Sequence, residues 1–231
     1  MKHTNTNPDI PIIFEDDHLL VIDKPVNMLS QKDHTGDPDV VSKCKEYLRK
    51  SGSHTPYLGL LHRLDRPVGG LMLLAKSRKA ANVLSRQMRD NIVQKTYWVV
   101  ITGDAPRNGV LTHYLLKDRQ TNIVKAVSGD QKKAKKAVLS FSKLEEADQL
   151  QLLSIHLQTG RPHQIRVQLS SEGYPIWGDY KYGLNQTDGR EIALRAVELI
   201  FEHPVKKQEM RFELLPPKIE PWSLFQSISF I

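Results

Sequence analysis

The sequence predicts an α+β fold built on a mostly antiparallel or mixed central sheet. Three observations carry this. Runs rich in β-branched and aromatic residues dominate the middle of the chain. Helical patterns separate only some of them, without the regular alternation of a parallel βαβ architecture. No fixed-period repeat and no Pro/Gly-rich linker interrupts the chain, so residues 10–231 read as one continuous domain behind a flexible polar tail at 1–9.

The elements follow in order. "IPIIFEDDHLLVIDKP" (10–25) gives two apolar β-type runs around Glu15, Asp16 and Asp17, the pattern of a hairpin. Three acids at a turn read as turn residues rather than as a metal cluster, because no matching ligands lie nearby in the sequence. Val40, Val41, Cys44, Tyr47 and Leu48 recur at helical spacing over 38–50, with Asp37 placed as N-cap, Pro38 at the first helical position and Gly52 after the end. "GGLMLLA" (69–75) is a short apolar run bounded by turn residues, which predicts a strand buried on both faces. Residues 77–90 predict a helix with Ala80, Val83, Leu84, Gln87 and Met88 inward. "KTYWVVITG" (95–103) predicts a central strand, with Trp98 as a core aromatic, and further strands are expected at 110–116, 122–127, 137–144 and 150–158. A helix is expected over 161–172, opened by Pro162; residues 191–201 fit a helix or a strand.

Composition narrows the function classes. The chain has 231 residues, 39% of them hydrophobic and 26% charged, as in ordinary globular proteins. Lys and Arg exceed Asp and Glu by 7, which suits a polyanionic partner such as nucleic acid. Cys44 is the single cysteine, so neither an intramolecular disulfide nor a thiolate metal cage is expected. There is no secretory signal pattern and no apolar run long enough to span a membrane. A cytoplasmic setting follows as the expectation. The phosphate-loop, dinucleotide and nucleophile-elbow signatures are missing, as are HExxH and CxxC pairs. No metal and no cofactor is expected.

What remains is a concentration of Asp, Arg, His, Gln and Tyr beside strands. In "HRLD" (62–65), an extended backbone would send Arg63 and Asp65 to one face, and adjacent guanidinium groups would keep the carboxylate ionised. Asp–Arg pairing is more often structural than functional, so this segment alone favours a salt-bridged corner. In "TGRPHQIRVQLSSEG" (159–173), Arg161, His163, Gln164 and Arg166 crowd into six residues at the start of the expected helix, whose free N–H groups would make an anion site. "KTYW" puts Tyr97 where a flat ring could meet a planar ligand. "GYPIWGDYKYG" (173–183) reads mostly as scaffold. The Lys-rich run around Lys132 to Lys136 reads equally as a solvated loop and as a phosphate-contacting arm.

Taken together, "HRLDRPVGGLMLLAK", "KTY", "TGRPHQIRVQL" and "YPIWGDYKYG" resemble the RluA-type family of RNA pseudouridine synthases, in order and in interval. "IFEDDHLLVIDKP" and "LRAVELIFEHP" extend the likeness over about residues 10–215. The resemblance implies a pseudouridine synthase-type catalytic domain with a cleft, isomerisation of uridine to pseudouridine in ribosomal or transfer RNA, and no cofactor. It implies that Asp65 is the catalytic nucleophile, that Arg166 pairs with and orients it, and that Tyr97 packs on the uracil ring. It places Arg63 near the vacancy left by a flipped nucleotide, with Arg161 and His62 as weaker substrate contacts. Three positions depart from the family pattern. Val68-Gly69 stands where many members have Thr-Ser before the glycine, Arg195 stands where the last motif usually has His, and the catalytic-type sequence starts near Ile10 without an S4 RNA-binding domain. The expected partner is RNA, with the protein acting as a monomer. A non-catalytic RNA-binding or RNA-chaperone protein is the alternative from another class. A carboxylate-based hydrolase would need a second placed acid, and none stands out.

Overall fold

A computed structural model describes residues 10–118, 120–183 and 191–228. The expected tail at 1–9 lies outside them. The fold is α+β, with three α-helices and eleven strands among the described residues, and it divides into two compact units. Unit 1 takes residues 1–94 and 196–214; unit 2 takes 95–195 and 215–231.

Unit 1 opens with the expected hairpin, β1 (Ile12–Glu15) against β2 (Leu19–Lys24). Its turn is tied by Asp16, whose carboxylate accepts from the His18 and Leu19 amides at 2.8 and 2.9 Å. Helix α1 (Val40–Lys50) follows, capped by Asp39 rather than Asp37. The Asp39 carboxylate accepts from the Ser42 amide, three residues on, at 3.0 Å. Asp37, just ahead of Pro38, is held by Arg66 at 2.7 Å instead. The two-residue β3 (Gly59–Leu60) pairs with β4 (Gly69–Ala75), which also pairs with β2. All seven residues of β4 are buried, as the unbroken apolar run predicts.

Gly70 is required where β4 runs beside a later strand. Its φ is +118°, and a Cβ there would lie 2.3 Å from the Ala196 carbonyl oxygen. Helix α2 (Arg78–Arg89), capped by Ser77, buries Ala80, Ala81, Leu84 and Gln87. Leu19, Val21, Leu71, Leu73 and Leu84 share a core with Leu199 and Phe201, which the chain supplies much later.

Unit 2 is built on an antiparallel sheet: β5 (Gln94–Thr102), β6 (Asn108–Lys117), β7 (Val124–Val127), β8 (Lys135–Ala147) and β9 (Leu150–Leu157), in spatial order β5-β9-β8-β6-β7. β8 starts at Lys135, so half of the lysine-rich run is strand rather than loop. Trp98, expected in the core, is only half-buried, whereas Tyr97 on the opposite face is 5% exposed. A tryptophan is large enough that full burial is uncommon.

Helix α3 (Gln164–Ser171) begins two residues later than Pro162, so the expected proline-opened helix start does not form. His163 adopts a left-handed backbone at φ 53°, off the helical path. The Gln164 side chain then ties down the preceding segment: Oε1 accepts from Thr159 Oγ1 and the Arg161 amide, and Nε2 donates to the Val138 carbonyl. The ambiguous stretch at 191–201 forms β10 (Leu194–Glu202), which starts in unit 2 and continues through unit 1. It pairs with β11 (Glu209–Glu213), a strand the sequence reading omits.

Candidate active site

Asp65 does not ride on a strand. Residues 61–65 are irregular, a turn occupies 66–67, and β4 begins four residues after the aspartate. Pro67 has no N–H to give a ladder, and the Val68 amide closes the turn on the Asp65 carbonyl at 3.0 Å. HRLD thus lies outside the strand, which starts only at Gly69. Arg63 is exposed and Asp65 half-buried.

Irregular backbone is not loose backbone here, because three successive residues are gripped. At Leu64, Ser30 accepts from the amide at 3.1 Å and donates to the carbonyl at 2.7 Å. At Asp65 the carbonyl is taken by Val68. At Arg66 the carbonyl accepts from the Lys24 ammonium at 3.1 Å, and the same ammonium donates to the Pro25 carbonyl at 2.8 Å. The Arg66 side chain adds a staple, with Nε on the Asn27 carbonyl and Nη1 on Asp37. Such a scaffold fixes a carboxylate's position with little further ordering on substrate binding.

Lys24 is fully buried. Burial pushes its pKa down, the carboxylates of Asp65 and Asp23 oppose that, and the Arg66 guanidinium adds to it; the result is about 7. His62 serves strand β4: its Nε2 accepts from the Leu73 amide at 3.0 Å, continuing a ladder that β3 leaves after Leu60.

Unit 2 holds the other three expected site residues. Tyr97 faces inward from β5, in register with Ile155 of β9. Arg166 lies on α3 with its side chain 3% exposed, and Asp179, 1% exposed, meets it in a two-point contact: Nε to Oδ2 at 2.8 Å and Nη2 to Oδ1 at 2.6 Å. The guanidinium also lies 5.0 Å from the centre of the Tyr182 ring. Asp179 Oδ1 further accepts from the Lys181 and Tyr182 amides. The glycine-punctuated segment is thus scaffold with a purpose, since it carries the counter-charge of Arg166. Gly178 permits the turn, with φ +77° and only 2.6 Å between a Cβ and the Glu191 carbonyl oxygen. Arg161 donates from Nε to the Lys136 carbonyl at 2.9 Å, tying the start of β8.

His62, Arg63 and Asp65 therefore belong to unit 1, and Tyr97, Arg161 and Arg166 to unit 2. Sequence reading missed Lys24, Ser30 and Asp179. A lysine ending an apolar strand and followed by proline was a usable sign for Lys24. A buried arginine demands a carboxylate, which made Asp179 findable once Arg166 was placed in the interior. Nothing local marks Ser30. Among the described residues no group of three or more His, Cys, Asp or Glu is disposed to hold a metal ion, and no helix is long and apolar enough to cross a membrane.

Comparison with known proteins adds what geometry alone does not. The model of the RNA pseudouridylate synthase family matches residues 18–171. An uncharacterized RNA pseudouridine synthase of Bacillus subtilis is 32% identical over 212 residues, covering 90% of this chain and 73% of the relative. A ribosomal large subunit pseudouridine synthase C of Vibrio vulnificus is 33% identical, with 86% and 63% covered. A tRNA pseudouridine synthase C of Pectobacterium carotovorum is 30% identical, with 88% and 58% covered, so the chain spans less than two thirds of these last two relatives. Among solved structures, human RNA pseudouridylate synthase domain containing 4 aligns with a TM-score of 0.75 at 25% identity, over 93% of this chain and 91% of that one. On the strength of these matches, the chain belongs to the RNA pseudouridylate synthase family.

Proposed function

We propose that this family member converts uridine in RNA to pseudouridine with Asp65 as its nucleophile. The observation that supports Asp65 most directly is the three-residue grip on Leu64, Asp65 and Arg66, which holds a half-buried carboxylate on a rigid loop. The reaction is an isomerisation and balances without a co-reactant. The bond from C1′ to N1 breaks, the uracil turns, C1′ bonds to C5, and the C5 proton is replaced by one on N1. A stacked uridine hides its glycosidic bond, so the nucleotide must be flipped out first.

The remaining roles follow from the family resemblance. Tyr97 is the ring that receives the uracil, and Arg166 is the orienting cation, a role helped by a guanidinium plane already fixed by Asp179. Exposed Arg63 and the partly exposed Arg161 are RNA contacts. His62, engaged by Leu73, acts through the strand. The RNA is ribosomal or transfer RNA, as the names of the relatives suggest, and the setting is the cytoplasm, with one copy of the chain acting alone.

The test is tritium release from 5-tritiated uridine RNA. Asp65→Asn and Asp65→Ala are expected to reduce release to background while thermal unfolding and RNA affinity stay near wild type. Turnover retained in either variant removes Asp65 from the chemistry.

A further inference from the structure

The buried ammonium of Lys24 has no part in the reaction as described above, yet it sits at the loop that carries the nucleophile. Strand β2 ends on it, opposite Gly70 of β4. The side chain runs inward, fully removed from solvent, and its Nζ reaches across 42 positions of sequence to the Arg66 carbonyl as well as to Pro25. Both acceptors are neutral carbonyls. The charged groups around it are Asp23 on its own strand, and Asp65 and Arg66 on the facing loop. An unpaired buried cation costs stability, and a methionine of similar shape would fill the same apolar path.

We propose that Lys24 is a positioning residue for the reaction at Asp65: its ammonium group holds the Asp65–Val68 turn through the Arg66 carbonyl and places positive charge beside that turn.

This rests on the assignment of Asp65 and deepens it. The charge on Lys24 is lost around neutral pH, because burial holds its pKa near 7. Arg66 opposes that charge while Asp65 and Asp23 support it. The charged form of Lys24 is therefore present beside the Asp65 loop on the acidic side of that titration. Above it the loop keeps a neutral amine, which makes weaker hydrogen bonds to carbonyls and offers the carboxylate no field.

The experiment is single-turnover tritium release, with enzyme in excess, on 5-tritiated uridine RNA from cells lacking the gene, across pH 6 to 9. Wild type is expected to lose rate on the alkaline side. Lys24→Met is expected to lower the rate about tenfold or more at neutral pH, to leave RNA affinity within about twofold, and to lack the alkaline fall. Lys24→Arg, charged throughout, is expected to keep a measurable rate and also to lack the fall. A Lys24→Met enzyme with full rate overturns the proposal. So does a reduced rate that keeps the wild-type pH profile, since a purely structural role would give that. If Lys24→Arg does not fold, the wild-type and Lys24→Met profiles decide between these outcomes. Asp65→Asn in the same assay separates the two assignments. Activity there overturns the nucleophile whatever Lys24 does, whereas loss there beside a fully active Lys24→Met overturns only the positioning role.

Discussion

Among the described residues each unit buries one lysine or arginine, Lys24 in unit 1 and Arg166 in unit 2, and the two are treated in opposite ways. In unit 2, Arg166 is met by a carboxylate at two points and by an aromatic face, and that carboxylate has two backbone amides of its own. In unit 1, Lys24 donates to two carbonyl oxygens among the described residues, and its carboxylate neighbours act on it through the field. The first is a permanent charge fully answered, which locks a loop onto a helix. The second is a charge that pH can remove, placed beside the loop of the carboxylate proposed as nucleophile. A guanidinium could not titrate in the second place, and an ammonium could not make the planar two-point contact in the first.

The largest effect expected from this contrast is Asp179→Ala. It leaves Arg166 buried without that carboxylate and should cost about 3–5 kcal/mol, read as a large fall in the denaturant midpoint. A cost below about 1 kcal/mol would put the pair in the class of surface bridges and dissolve the comparison. Next comes the pH dependence of stability due to Lys24. Its folded pKa is depressed, so the unfolded chain binds the extra proton between about pH 7 and its ordinary value near 10.4. Stability should therefore rise with pH across that window, by at most about 5 kcal/mol. Lys24→Met should flatten this rise, as pH-resolved denaturation will show.

A third pair sharpens the rule that a carboxylate given its hydrogen bonds becomes structural. Burial raises the pKa of Asp16, but the His18 amide, the His203 ring and the Leu19 amide outweigh it and hold the group at about 2. The stability it contributes is present above the ordinary carboxylate range and is lost as pH falls toward 2. Asp16→Asn should remove about 1–2 kcal/mol at neutral pH, allowing for screening at a site partly open to water, and should remove the associated acid sensitivity. The smallest effect is Ser30→Ala. Leu64 loses both clamps at a cost of about 1 kcal/mol, and the turnover rate is expected to fall more than stability does. Equal falls would mean that the clamp supports the fold rather than the loop.

Much of this was legible from residues. The run Gly69–Ala75 could only be a doubly covered strand, and the spacing of Val40, Cys44 and Leu48 could only be a helix. The catalytic candidate was legible through the combination of distant segments, since HRLD alone looks like any ion-paired corner. What stayed hidden depended on tertiary neighbours. Two aspartates flank Pro38, and only the position of Arg66 decides which one is free to cap the helix. Pro162 looked like a helix opener because nothing in the sequence says that Gln164 will fold back on residues 138, 159 and 161. Lys24 carries one local sign, a lysine that ends an apolar strand before a proline, and the loop it serves is what gives that sign its meaning.

The ancestry of unit 1 in two separate stretches of chain has a consequence for biogenesis. Leu199 and Phe201, with the partly buried Met210 and Phe212, complete a core begun by Leu19 and Val21. A ribosome must therefore deliver the whole sheet of unit 2 before the unit that holds Asp65 can close its interior. Until then the apolar strand at 69–75 lacks its late partner, and expression of residues 1–94 alone would present that strand to solvent and to other chains. The loop that carries Asp65 is thus made early together with Lys24, Ser30 and Val68, which grip it, while the core of the unit it belongs to closes late.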